Sequence, residues 1–151
     1  MLKIGDKAPD FEGIDQDGKS IRSANYNGKK LVVYFYPKAH TPGCTAEGCS
    51  LRDNYNALKT KGYEIIGVSK DPVEKQKSFH EKYDFPFPLI ADTEKKIIEA
   101  FGAWGKKKFM GKEYDGILRY TFLIDKQGVI TDIITKVQTK NHAEQILKNE
   151  K

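Results

Sequence analysis

The sequence predicts an α/β sandwich, a central mixed β-sheet flanked by helices, with a β-hairpin added on the N-terminal side. Three observations predict it. The run Leu31-Val32-Val33-Tyr34-Phe35-Tyr36 is β-branched and aromatic, lacks alternation and is too short for a buried helix, so it reads as a central strand covered on both faces. An amphipathic stretch then leads to a second apolar run around Ile65, Ile66 and Val68, which makes a right-handed unit of strand, helix and parallel strand. Two further strand-like segments, joined by Lys126-Gln127-Gly128, read as an antiparallel hairpin before a last helix.

Taken in order, Ala8-Pro9-Asp10-Phe11 is an extended entry, and Asp17-Gly18 between Ile14 and Ile21 is a hairpin turn. Asn27-Gly28 turns the chain into the central strand, which Pro37 ends. Thr41 is a good N-cap and Pro42 suits the first helical position, where a missing N–H costs nothing. The helix that follows carries Leu51, Tyr55 and Leu58 on one face and is expected to run to Gly62. Residues 63–69 form the next buried strand, and Asp71-Pro72 opens a helix in which Phe79 and Tyr83 share a face. Phe85-Pro86-Phe87-Pro88 excludes regular structure before a short strand at Leu89-Ile90. Residues 93–101 predict a helix presenting Ile97, Ile98 and Phe101, and Lys106-Lys107-Lys108 reads as a solvated, glycine-flanked loop. Residues 119–124 and 129–135 make the closing hairpin, and residues 141–149 a final helix with Ile146 and Leu147 inward.

The junction between central strand and first helix is where chemistry is expected. Cys44 falls at the third helical position, beside unsatisfied backbone N–H groups and the positive end of the helix dipole, which favour thiolate over thiol. A lone cysteine is more often a small buried hydrophobe, but a strand end meeting a helix start is not a mid-core location. Cys49 lies five residues on. An intact helix holds positions i and i+5 beyond disulfide reach, so a bond between the two requires the first turns to unwind. Gly43 and Gly48 either weaken the helix for that purpose or admit a close neighbour.

Composition narrows the function. A chain of 151 residues makes one domain, residues 1–151, with enough length for a real core. The net charge of +5 comes from 26 basic residues interleaved with 21 acidic ones, which is a solubility pattern and not a nucleic-acid stripe. The first twenty residues hold no apolar signal region and no apolar run approaches membrane-spanning length, so a cytoplasmic protein without membrane association is expected. His40, His80 and His142 are scattered, and His40 with Cys44 and Cys49 matches no zinc spacing, so no metal is expected. With neither a phosphate loop nor paired carboxylates, no cofactor is expected either. Two cysteines in a reducing compartment suggest catalysis or metal binding over scaffolding.

Pro37-x-x-x-Thr41-x-x-Cys44 resembles the active-site signature of the peroxiredoxins. The longer string Phe35-Tyr36-Pro37-Lys38 through Thr41-Pro42-Gly43-Cys44-Thr45, with Cys49 and Arg52-Asp53 behind it, is similar to the peroxiredoxin Q subfamily, also called bacterioferritin comigratory proteins. A separate stretch agrees: Trp104-Gly105 to Gly111-Lys112, then Gly116, Arg119 and Thr121-Phe122-Leu123-Ile124-Asp125. The resemblance implies a thioredoxin-like core and a peroxidatic Cys44. It also implies that Thr41 holds the peroxide, Pro37 shields the pocket and Arg119 stabilises thiolate and developing charge. Glu47, one turn beyond Cys44, is placed to orient Arg119 or else to face solvent.

Cys49 is implied as the resolving cysteine, with the Cys44-Cys49 disulfide reduced by thioredoxin or a similar dithiol protein. Hydrogen peroxide and small organic hydroperoxides are the implied substrates, and a monomer or weak homodimer the implied assembly. The chain departs from the subfamily at Ala39-His40, where acidic residues are expected. Two other functions share the cysteines: a peroxide sensor that is oxidised once, and a thiol-disulfide oxidoreductase, whose usual C-x-x-C spacing is absent.

Overall fold

The computed structural model describes residues 2–149; Met1 and residues 150–151, the ends of the expected single domain, lie outside the described residues. Strands β1 (Glu12–Ile14) and β2 (Ser20–Arg22) form the expected hairpin. The Asp15 carboxylate ties its turn by accepting from the backbone N–H groups of Asp17 and Lys19, and Gly18 supplies a φ of 76°. A 3-10 turn over Ser23–Tyr26 precedes β3 (Lys30–Phe35). Next come α1 (Pro42–Asp53), α2 (Tyr55–Thr60), β4 (Tyr63–Ser69), α3 (Val73–Tyr83), β5 (Leu89–Ala91) and α4 (Lys96–Ala100). The chain closes with β6 (Trp104–Phe109), β7 (Lys112–Ile117), β8 (Thr121–Ile124), β9 (Ile130–Ile134) and α5 (His142–Asn149).

The central sheet has the order β5-β4-β3-β8-β9. In it β3 lies parallel to β4 and antiparallel to β8, so the sheet is mixed and β3 is its middle strand. Alternation along β3 divides the core. Val32 and Tyr34 pack with Leu51, Leu58, Phe79 and Ile146 from α1, α2, α3 and α5. Val33 and Phe35 pack on the other face with Ile97, Ile98, Phe101 and Phe122. Burial of both faces explains the uninterrupted apolar run.

Three local expectations are corrected. The helix expected to reach Gly62 is broken at Asn54, whose backbone leaves helical geometry at φ −113°, ψ 17°. Its side-chain amide donates to the Ser50 carbonyl at 2.9 Å, the local competition that makes asparagine a poor interior residue. The helix expected over residues 93–101 is shorter, because Lys95 adopts a left-handed φ of 63° and the Asp92 carboxylate takes the Ile98 N–H at 2.8 Å. Lys106-Lys107-Lys108 is no loop: it belongs to β6, which pairs along its length with β7 in a hairpin separate from the main sheet. Charge masked this strand, since an exposed ribbon needs no apolar alternation.

Gly48 shows why α1 tolerates a glycine. A Cβ there would stand 2.6 Å from the Phe85 ring, which is itself wedged by Phe79, Tyr83 and Phe87 with ring centroids 5.0, 5.8 and 5.4 Å away. Gly48→Ala is therefore expected to lower stability by about 1–3 kcal/mol in denaturant unfolding, although alanine is the better helix former by about 1 kcal/mol. Unchanged or raised stability would show that Phe85 can give way.

Among the described residues no helix is long and apolar enough to cross a membrane. No group of three or more His, Cys, Asp or Glu among them is arranged to hold a metal ion.

Candidate active site

The site forms where β3 ends. Tyr36 is fully buried, Pro37 lies half-buried in the bend beyond it, and the loop to Thr41 leads into α1. That loop is anchored from below by groups the sequence did not single out for the site. The Ala39 N–H donates to the Asp71 carboxylate at 2.8 Å, and the Ser69 hydroxyl donates to the same oxygen at 2.8 Å. The Gln76 amide donates to Ser69 Oγ and to the Ile90 carbonyl, and accepts from the Tyr36 hydroxyl. Each of these polar groups is buried and bonded, which holds the loop to one shape. His40, exposed at a left-handed φ of 67°, rests its ring on Phe79 with centroids 5.3 Å apart.

Thr41 and Pro42 take the expected N-cap and first helical positions. The Thr41 hydroxyl makes no capping bond, however; it donates to the Lys38 carbonyl at 2.8 Å. Its oxygen is thereby left with acceptor capacity beside the helix mouth. Cys44 is buried at 1% exposure and Cys49 is half-buried on the same helix, both free of any disulfide. Burial pushes the Cys49 thiol up from its usual range, and Arg52 offsets this in part. Cys49 is thus held as a neutral thiol at neutral pH.

Arg119 lies between β7 and β8 and reaches across to α1. Its Nη2 donates to Cys44 Sγ at 3.4 Å and its Nη1 to Glu47 Oε1 at 2.8 Å. Gly43 makes room for it, since a Cβ there would sit 3.3 Å from Nη2. Burial works against the Arg119 charge, but Glu47 and Cys44 more than offset it, and the guanidinium is held above its ordinary value. Glu47 is fully buried; burial pushes its carboxyl up to about 7 even with Arg119 opposing the rise.

The structure brings Cys44, Glu47 and Arg119 together, with Glu47 turned inward to Arg119 and not to solvent, and with Thr41 and Pro37 in the adjoining loop. Lys107, read as a solvated loop residue, is half-buried in β6, and its ammonium is lowered by burial and by the nearby Arg119 charge. Behind Glu47 stands His142 at the start of α5, also missed as a site residue. No sequence signal marks Lys107 among three lysines. A histidine opening a helix with an inward apolar face was the one hint for His142.

The chain is similar to known proteins along most of its length. Residues 4–133 match the model of the AhpC/TSA family. The chain is similar to peroxiredoxin Bcp of Escherichia coli (strain K12), 47% identical over 146 residues, covering 97% of this chain and 94% of that one. Peroxidoxin BcpB from Mycobacterium tuberculosis superposes with a TM-score of 0.87 at 34% identity, covering 99% of this chain and 96% of that one. A Xanthomonas campestris bacterioferritin comigratory protein, studied for alkyl peroxide reduction in trapped intermediate and ligand complexes, superposes with a TM-score of 0.85 at 33% identity. It covers 91% of this chain and 88% of that one.

Proposed function

The chain belongs to the AhpC/TSA family, in its peroxiredoxin Q or bacterioferritin comigratory protein branch, and is a thiol peroxidase; from that premise we propose that Cys44 attacks the peroxide and Cys49 resolves the product. The observation that carries the assignment is the guanidinium of Arg119, 3.4 Å from a buried sulfur at a helix start. The guanidinium and the N–H groups of the helix start are donors aimed at the place where negative charge develops during attack.

The Cys44 thiolate displaces one peroxide oxygen: an S–O bond forms, the O–O bond breaks, and the leaving oxygen takes a proton to depart as water or an alcohol. The Thr41 hydroxyl, already donating to Lys38, accepts from the peroxide O–H, while Arg119 faces the charge that develops. Pro37 shields the pocket from the β3 side. The Cys44 sulfenic acid then condenses with the Cys49 thiol, releasing water and leaving the disulfide. Both cysteines lie within α1, so this step requires its first turns to open. A dithiol protein of the thioredoxin type reduces the disulfide and returns the helix. Hydrogen peroxide and small organic hydroperoxides are the substrates, the latter supported by the alkyl peroxide activity named for the Xanthomonas relative.

One equivalent of peroxide added to the reduced protein is expected to yield an intrachain Cys44-Cys49 link by mass spectrometry. Thioredoxin, its reductase and NADPH are expected to sustain turnover. A single stoichiometric oxidation without turnover would identify a sensor, and insulin reduction without peroxide an oxidoreductase.

A further inference from the structure

Glu47 poses a problem of charge. Its Oε1 is bonded to Arg119, but its Oε2 is one of two buried side-chain polar atoms among the described residues without a hydrogen-bond partner, the other being the Tyr34 hydroxyl. Once Cys44 is a thiolate, an ionised Glu47 would put two anions on one half-buried guanidinium. A low-dielectric site disfavours that surplus negative charge strongly.

Facing Oε2 at 3.5 Å is Nε2 of His142, in a side chain with no exposure at all. The tautomer of this imidazole follows from its partners. Gln145 Oε1 accepts from the backbone N–H of Gln138 at 2.8 Å, and the Gln145 amide nitrogen donates to the Lys136 carbonyl, so that oxygen is an acceptor. His142 Nδ1, 3.0 Å from it, therefore carries the hydrogen, and Nε2 presents a lone pair. The Thr121 hydroxyl lies 2.8 Å from Nε2 and donates to it. Burial, together with the Arg119 charge, lowers His142 to about 4, with the Gln145 bond opposing, so its contact with Glu47 is no ion pair at neutral pH. The start of α5 is fastened in place, since the Ala143 N–H donates to Ser50 Oγ of α1 at 3.1 Å.

We propose that His142 is a positioning residue whose neutral Nε2 accepts from Glu47 Oε2–H, allowing Glu47 to hold the proton that Cys44 gives up. In this transfer the S–H bond of Cys44 breaks and an O–H bond forms on Glu47 Oε2, with no change in oxidation state or in the net charge of the site. The thiolate then has Arg119 to itself. Thr121 occupies the Nε2 lone pair while Glu47 is ionised, and the 3.5 Å gap is what two acceptors keep; a proton between them draws it in. Among the described residues, Cys44 on α1, Arg119 before β8 and Tyr34 on β3 also face the pair, and Lys107 on β6 lies near Arg119 and Cys44. Tyr34 is buried and raised well above its ordinary value by burial, so it stays neutral and does not compete.

This inference rests on Cys44 being the attacking sulfur. The test uses the full-length reduced protein and its pH–rate profile for peroxide. His142→Phe, which fills the space without an acceptor, is expected to move the acid limb up by about one pH unit and lower the rate below it about tenfold. His142→Gln, which keeps an acceptor, is expected to restore part of the shift. In a Glu47→Gln background His142→Phe is expected to leave the limb where that background puts it. Infrared difference spectra are expected to show an S–H band lost as a carboxylic acid band appears, in wild type and not in Glu47→Gln. An unmoved limb in a folded His142→Phe protein, or an equal shift in both backgrounds, overturns the role of His142. If His142→Phe does not fold, the absence of the carboxylic acid band in wild type overturns it instead. Peroxide turnover surviving in Cys44→Ser would instead overturn the functional reading.

Discussion

Cys44→Ser is expected to lower peroxide consumption at least about ten-thousandfold, because a serine hydroxyl is far less acidic than a thiol, stays protonated at this position and is a poor nucleophile toward peroxide oxygen. The loss should appear in the first turnover, since nothing downstream of the attack is required for it. Cys49→Ser separates the two roles: it is expected to consume one equivalent of peroxide at near wild-type rate and then stall, with Cys44 trapped as its sulfenic acid. Stopped-flow peroxide loss with mass spectrometry of the products reads both variants. Equal loss of the first turnover in both would assign attack and resolution wrongly. The substitutions are small in volume, and Cys49 is only half-buried, so a folding defect is not expected to imitate the result.

Arg119→Met is expected to cost about a hundredfold to a thousandfold in the rate of attack, the scale set by removing one well-placed donor from developing negative charge. Methionine keeps the apolar stem and removes both bonds, to Cys44 Sγ and to Glu47 Oε1. The second loss carries its own pH signature. With the guanidinium in place, burial already holds Glu47 at about 7, above the unfolded carboxyl, so the fold binds its proton more tightly than the unfolded chain does. Stability from this group is therefore fully present below the unfolded carboxyl range and declines as pH rises through the folded value. Without Arg119 the folded value moves higher still, so the deficit of Arg119→Met relative to wild type should be small at pH 5 and grow towards pH 9. Adding Glu47→Gln should flatten that growth. Denaturant unfolding across this range measures it, and a deficit independent of pH would mean that Glu47 is not the group left uncompensated.

The elements around the site were legible to different depths for physical reasons. β3, β4 and α3 were readable because continuous apolar runs, a proline at a helix start and aromatic spacing are local signals of burial. The β6–β7 hairpin was not, because a two-stranded ribbon outside the main sheet carries Lys106, Lys108 and Lys112 to solvent and offers no apolar period. The break at Asn54 was hidden because Leu51, Tyr55 and Leu58 keep helical spacing across it. Gly43 and Gly48 were visible as glycines, but only their neighbours, Arg119 and Phe85, disclose that close approach is their reason.

By itself the sequence determined that a cysteine sits at the third position of a helix entered from a buried strand, and that a second cysteine follows on the same helix. Both are consequences of short-range rules that act over a few residues. Only the tertiary structure decided what faces that sulfur: Arg119 from 75 positions away, Glu47 paired to it across 72, and His142 behind them on the last helix. Ionisation inside a protein depends on which charges and dipoles are within a few ångströms after water is gone, and chain folding, not local spacing, sets that company.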